Sequence, residues 1–220
     1  MFLSYKYKFL FVHIAKTGGT SIRASLKRER VTDIYQIPLF LCSRLSALSK
    51  HRLGIKFPRH AKIIAAKEML PHELFEVLFK FAFVRNPWDL QVSSFHHIRR
   101  ERPQTMAHIE NFSQFIHWKM DPHRAYQFIV DTSMEKQSDY IVDLHGHVLT
   151  NFIGRYENLQ EDFDTVCEKI GIKKRRLPHR RQAKERTDYR HYYSDELAEK
   201  VGQWFKRDIE LFGYQFDKIA

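Results

Sequence analysis

Two apolar runs in this chain each stop at a residue suited to hold an anion, and a helix signal follows at once. Phe9-Leu-Phe-Val-His-Ile14 leads into Ala15-Lys-Thr-Gly-Gly-Thr-Ser21, and Lys80-Phe-Ala-Phe-Val84 leads into Arg85-Asn-Pro-Trp88. Strand, short loop and helix in that order, given twice, constrain the fold to an α/β domain with a mostly parallel sheet. Both loops then fall at the carboxyl ends of their strands, where such sheets bind ligands.

The first loop has the makings of a phosphate or sulfate nest. Gly18 and Gly19 can take φ > 0 and admit an anion close to the backbone. Thr20 or Ser21 can cap the helix that follows, leaving its free N–H groups for a ligand, and Lys16 adds a full positive charge. This is not a Walker A loop, in which the Lys follows the last glycine; here Lys16 precedes both. The plainer alternative is a βα turn with a helix cap. In the second loop Asn86 is placed as N-cap and Pro87 as first helical residue. Arg85 supplies a planar fork for phosphate oxygens, and Ser93, two turns along, adds a hydroxyl. The alternative there is a structural ion pair for Arg85 and a merely exposed Ser93. Two such loops suggest a ligand with phosphates at two ends.

Further elements are expected from pattern. Helices are predicted at Thr20 to about Lys27, at Pro71 to Phe79 with Leu74, Val77 and Leu78 on one face, and over 111–120. Another runs from Leu159 to Ile170 and ends at Gly171, and a last one runs from Ser194 to Phe212, capped by Ser194 and ended by Gly213. Lys62 to Ala66 reads as a short strand or a helix start. His147 to Phe152 and Ile153 to Glu157 read as strands, and 31–58 as a helix plus loop.

Composition narrows the partners. The chain of 220 residues carries a net charge of +11, which implies an anionic partner. An aromatic content of 14% argues for an ordered globular protein. Two cysteines, Cys42 and Cys167, lie far apart, which fits a reducing compartment and gives no disulfide framework. No stretch is long and apolar enough for a membrane span, and no signal peptide is evident, so a cytoplasmic enzyme without a membrane anchor is expected. Residues 173–186 hold eight Lys or Arg against Glu185 alone. They read either as a solvated charge run or as a lid or landing strip for anions.

The chain resembles the sulfotransferases that use 3′-phosphoadenosine 5′-phosphosulfate, and is most similar to the carbohydrate sulfotransferase type 2 group. The resemblance rests on His13-Ile-Ala-Lys-Thr-Gly-Gly-Thr-Ser-Ile22, on Phe83-Val-Arg-Asn-Pro-Trp-Asp89 through Ser93, on Phe152-Ile-Gly-Arg-Tyr-Glu-Asn-Leu159, and on the closing Asp208-Ile-Glu-Leu-Phe-Gly-Tyr214. It implies a single sulfotransferase domain over 1–220 with a P-loop-like three-layer fold, a central, mostly parallel sheet flanked by helices. It implies that Lys16, Thr17, Gly18, Gly19, Thr20 and Ser21 hold the 5′-phosphosulfate, that Arg85 and Ser93 hold the 3′-phosphate, and that Tyr156 lies near adenine. The product would be adenosine 3′,5′-bisphosphate and the acceptor a hydroxyl, on a carbohydrate.

Sulfuryl transfer asks for positioning and charge stabilisation much as phosphoryl transfer does. Lys16 would stabilise the charge on the leaving oxygen, and no metal is required. The base for the acceptor hydroxyl is expected to be His60, between the two anion loops, to which the resemblance also points. His13 is expected to be structural. His96-His97, and His145 with His147, lack a third ligand at metal spacing. Two readings compete: a P-loop-like nucleotide kinase or NTPase, opposed by the missing Gly-Lys-Ser/Thr, and a nucleic-acid-binding module, opposed by the concentration of charge in one segment. Residues 31–58 and 99–147 are left to shape the acceptor cleft. The acceptor's identity and the oligomeric state have no signature in the sequence.

Overall fold

The structure is a computed structural model that describes residues 1–34, 57–178 and 187–217, with isolated positions between 38 and 48. The expectation of a helix plus loop over 31–58 therefore lies mostly outside the described residues, as does the later part of the basic run.

The chain packs as two compact units. One draws on the described residues of Met1–Ile14, Gly18–Val84 and Asp139–Arg180; the other draws on Ala15–Thr17, Arg85–Ser138 and Arg181–Ala220. Among the described residues the first unit holds one four-stranded sheet in the order β1-β2-β3-β4: β1 (Phe2–Ser4), β2 (Phe9–Val12), β3 (Phe79–Val84) and β4 (Phe152–Arg155). β1 runs antiparallel to β2, while β2, β3 and β4 are parallel, with Phe11 opposite Phe81 and Phe81 opposite Phe152. The fold is α/β with a mostly parallel sheet, as the repeated strand-loop-helix pattern requires.

Alternation along the strands sorts the core of this unit. Phe9, Phe11, Phe81 and Phe83 share one face and pack with Ile22 of α1 (Gly19–Ser25), with Leu26 at its C-cap, and with Phe163 and Val166 of the helix Leu159–Lys169. Leu10, Val12, Ala82 and Val84 on the other face are buried too. Burial of both faces is why these strands read as unbroken apolar runs. After α1 come α2 (Lys27–Val31), α3 (Ile63–Met69) and α4 (His72–Val77). The ambiguous segment at Lys62 is therefore a helix. α4 turns Phe75 inward, with Leu78 buried just past its end and Leu74 half-buried, but leaves Val77 57% exposed, so only part of the face that spacing predicts is buried.

The second unit is helical. α5 (Pro87–Glu101) begins as expected, with the Asn86 side chain accepting from the N–H groups of Trp88 and Asp89. It is followed by a short 3-10 turn (Pro103–Met106), α6 (Phe112–Lys119) and α7 (Phe128–Asp131). α8 (Leu159–Lys169) belongs to the first unit and ends before Gly171, at φ +70°. The last predicted helix is two: α9 (Asp195–Trp204), capped by Ser194, and α10 (Lys206–Phe212), closed by Gly213 in the left-handed region. The break falls at Phe205, 1% exposed within a core of Trp88, Val92, Phe95, Phe112, Phe115 and Val201. Only one of the two predicted strands near 147–157 forms; Val148 makes an isolated bridge to Val142 and β4 starts at Phe152.

Candidate active site

The first loop is built differently from the local expectation. Gly18 takes φ +79° and is itself the N-cap of α1, with no side-chain cap from Thr20 or Ser21. Gly19 does not take positive φ; the second left-handed residue of the loop is Lys16, at φ +65°. A non-glycine residue there costs about 1–2 kcal/mol, a strain of the kind that collects at functional positions. Gly19 is glycine for space: a Cβ on it would lie 2.2 Å from Cδ2 and Nε2 of His13. A Cβ on Gly18 would lie 2.8 Å from Leu159 and 3.3 Å from the ring of Tyr156. The fold of the first unit therefore brings Tyr156 to the glycine loop, at the carboxyl edge where the Tyr156 N–H also bonds Val84.

His13 sits under that loop. Its ring is 3% exposed, stacks on Phe11 at 5.5 Å between centroids, and meets the His60 ring at 4.7 Å. His60 Nδ1 lies 2.9 Å from the His13 carbonyl. A carbonyl only accepts, so Nδ1 carries the proton and Nε2 carries the lone pair. Burial lowers the His60 pKa to about 4, against a raising contribution from that hydrogen bond, and the positive charge of Arg59 lowers it further. Burial also holds His13 well below the ordinary range, with His60 adding to the effect. Both rings are neutral near pH 7.

In the second unit Arg85 is 2% exposed. Its Nε donates to Asp89 Oδ2 at 2.6 Å, one turn into α5, and its Nη1 donates to the Lys16 carbonyl at 3.0 Å. The structural ion pair and the placement beside the first loop thus coexist. Ser93 lies four residues beyond Asp89, on the same helix face, and is half-buried. Lys16 and Thr20 are half-buried, while Thr17 and Ser21 are buried. Within the second unit the Lys16 ammonium, the Arg85 guanidinium and the Thr17 and Ser93 hydroxyls are donors of the kind that suits phosphate and sulfate oxygens. Among the described residues no cluster of three His, Cys, Asp or Glu suits a metal ion. His96 bonds Tyr192, and His147 pairs with Asp143.

Several residues here had no sequence signal. Gln137 bonds both backbone groups of Arg85 across 52 residues. Lys119 is 2% exposed and donates to Gln91, Ser94 and Ser133, and burial drives its pKa well below the ordinary lysine value. The described start of the basic run is anchored rather than free: Arg175 pairs with the buried carboxylate of Glu29 at 2.6 Å and Leu177 is 6% exposed. Asp89 could have been found, since it stands four residues after Arg85.

Among the described residues no helix is long and apolar enough to cross a membrane. No solved structure matches the chain. An uncharacterized protein of Archaeoglobus fulgidus is 31% identical over 112 residues, covering 46% of this chain and 73% of that protein. The model of the sulfotransferase family matches residues 1–215, nearly the whole chain, and the chain belongs to the sulfotransferase family.

Proposed function

We propose that residues 1–220 act as one domain that moves the sulfuryl group of 3′-phosphoadenosine 5′-phosphosulfate to a hydroxyl of a carbohydrate acceptor. Family membership supports sulfuryl transfer in general; the donor, the acceptor class and the residue roles are our reading. The observation that carries it is the bond from Arg85 Nη1 to the Lys16 carbonyl, because it ties together the two sequence motifs suited to anions.

When bound, the donor supplies an activated sulfuryl group and a phosphate leaving group. Lys16 offsets the charge that grows on the leaving oxygen, and the loop through Thr17, Gly18, Gly19, Thr20 and Ser21 offers amides and hydroxyls to the phosphosulfate. Arg85 and Ser93 take the 3′-phosphate, and Tyr156 lies toward the adenine. The acceptor hydroxyl gives its proton to Nε2 of His60, with Nδ1–H anchored on the His13 carbonyl. An anion in the glycine loop raises the His60 pKa toward neutrality and makes it a stronger base. The chemistry assigned to these residues requires no metal. The reaction runs in the cytoplasm on this reading, in keeping with two cysteines that stand far apart in the sequence.

The test is calorimetric titration with adenosine 3′,5′-bisphosphate, with AMP and ATP as controls. Binding that needs the 3′-phosphate and is lost in Arg85→Ala is the expected result. No binding, or equal binding of ATP, overturns the reading and favours a kinase-like or nucleic-acid-binding protein.

A further inference from the structure

Arg85 follows directly on the last residue of β3, at Val84, and a side chain takes up its two backbone hydrogen-bonding groups. The Arg85 N–H donates to Gln137 Oε1 at 2.9 Å, and Gln137 Nε2 donates to the Arg85 carbonyl at 2.8 Å. One amide thus does the work of a neighbouring strand's peptide. Gln137 is in turn held by its own backbone. Its N–H donates to Asp208 Oδ2 at 2.7 Å, and the next N–H, of Ser138, donates to Asp208 Oδ1 at 2.9 Å. Asp208 comes from α10, 71 residues away, and is 0% exposed; Gln137 is 1% exposed.

Burying a carboxylate and an amide is costly unless every bond is made, and here the bonds converge on one residue. The backbone of Arg85 is clasped by Gln137, while its side chain is clasped by Asp89 and by the Lys16 carbonyl. A guanidinium held through Nε and Nη1 is fixed in one orientation, and the planar fork of an arginine so fixed suits an oxyanion.

We propose that Gln137 and Asp208 are positioning residues for Arg85: Asp208 fixes the backbone at 137–138, and Gln137 transmits that fixity to the anion-binding arginine. This rests on the reading of Arg85 as a phosphate ligand.

The experiment has two arms, using Gln137→Leu and Asp208→Asn in the full chain. The first reads Arg85 without any ligand, by hydrogen exchange of its backbone amide and by the NMR signal of its Nε–H. The expected result is loss of amide protection and a shifted or broadened Nε–H in both variants. Unchanged Arg85 signals in Gln137→Leu overturn the proposal. The second arm titrates adenosine 3′,5′-bisphosphate. Kd should rise about tenfold in Gln137→Leu and about threefold in Asp208→Asn, while KM for the acceptor stays unchanged. Lower melting temperature with wild-type affinity would mean a purely structural role and also overturns the proposal. Should the wild type fail to bind the bisphosphate, the functional reading falls, and the first arm still decides whether Gln137 and Asp208 position Arg85. Asp208→Asn keeps the side chain's shape, so the test survives if Gln137→Leu does not fold.

Discussion

Gly19→Ala is a one-methyl change with a large expected effect. The added Cβ would lie 2.2 Å from two ring atoms of His13 and 3.0 Å from a third. His13 cannot step aside cheaply, since its ring is buried between Phe11 at 5.5 Å and His60 at 4.7 Å. Backbone strain does not contribute, because Gly19 is not in the left-handed region. The cost is therefore overpacking, about 1–3 kcal/mol. For a chain of this length that is about 2–4 °C in Tm per kcal/mol. The assay is urea denaturation followed by fluorescence, with melting as a second probe. A displaced His13 also moves the carbonyl that holds His60, so turnover should fall along with stability. Adding His13→Ala removes the obstructing ring, and the double variant should lose less than the sum of the two singles. Stability within about 0.5 kcal/mol of wild type, a margin typical of neutral surface changes, would refute the argument that Gly19 is required for space.

Four further outcomes follow from the same geometry. Lys16→Gly and Lys16→Ala should both abolish cofactor-dependent turnover, but the glycine variant should be more stable than the alanine variant by about 1 kcal/mol because position 16 is left-handed; equal melting temperatures would contradict that backbone assignment. His60→Ala should lower turnover by about 100-fold or more while leaving bisphosphate affinity unchanged, and wild-type turnover would remove His60 as the base. His60 and His13 have folded pKa values below the unfolded 6.5, so the unfolded chain binds more protons as pH falls; stability should drop between pH 6.5 and about 4, and His60→Gln should flatten that slope in urea titrations. Asp89→Asn removes the charge partner of the buried Arg85 and should destabilise by about 3 kcal/mol, with weaker bisphosphate binding as a second readout; a change near zero would show the ion pair to be dispensable.

Much of the scaffold was legible because its signals are local. Phe9–Val12 and residues 81–84 of β3 are apolar on both faces and so read as buried parallel strands. Asn86-Pro87 is a cap-plus-first-turn pair, and Gly171 and Gly213 stand where helices must stop. Local pattern loses its force where tertiary packing outweighs it. One amphipathic stretch over 194–212 became two helices because the buried Phe205 and Asp208 face different partners. On α4 the expected face holds at Leu74 and Leu78 but not at Val77, because a six-residue helix offers too few positions to define a stripe.

The sequence by itself determined the parallel α/β plan, the two strand-to-helix loops, and the residue types in them that suit an oxyanion. Those features depend on φ/ψ preferences and on side-chain periods that span a few residues. Only the tertiary structure decided how the loops are held. It put Lys16 rather than Gly19 in the left-handed region, pressed His13 against Gly19 so that a side chain there has no room, and turned His60 Nδ1 toward a carbonyl. It also clasped Arg85 between Asp89, Lys16 and Gln137. The physical reason is distance along the chain. Pairings such as Arg85 with Gln137 and Gln137 with Asp208 join residues 52 and 71 positions apart, and no local pattern encodes which buried polar groups will meet when the core closes.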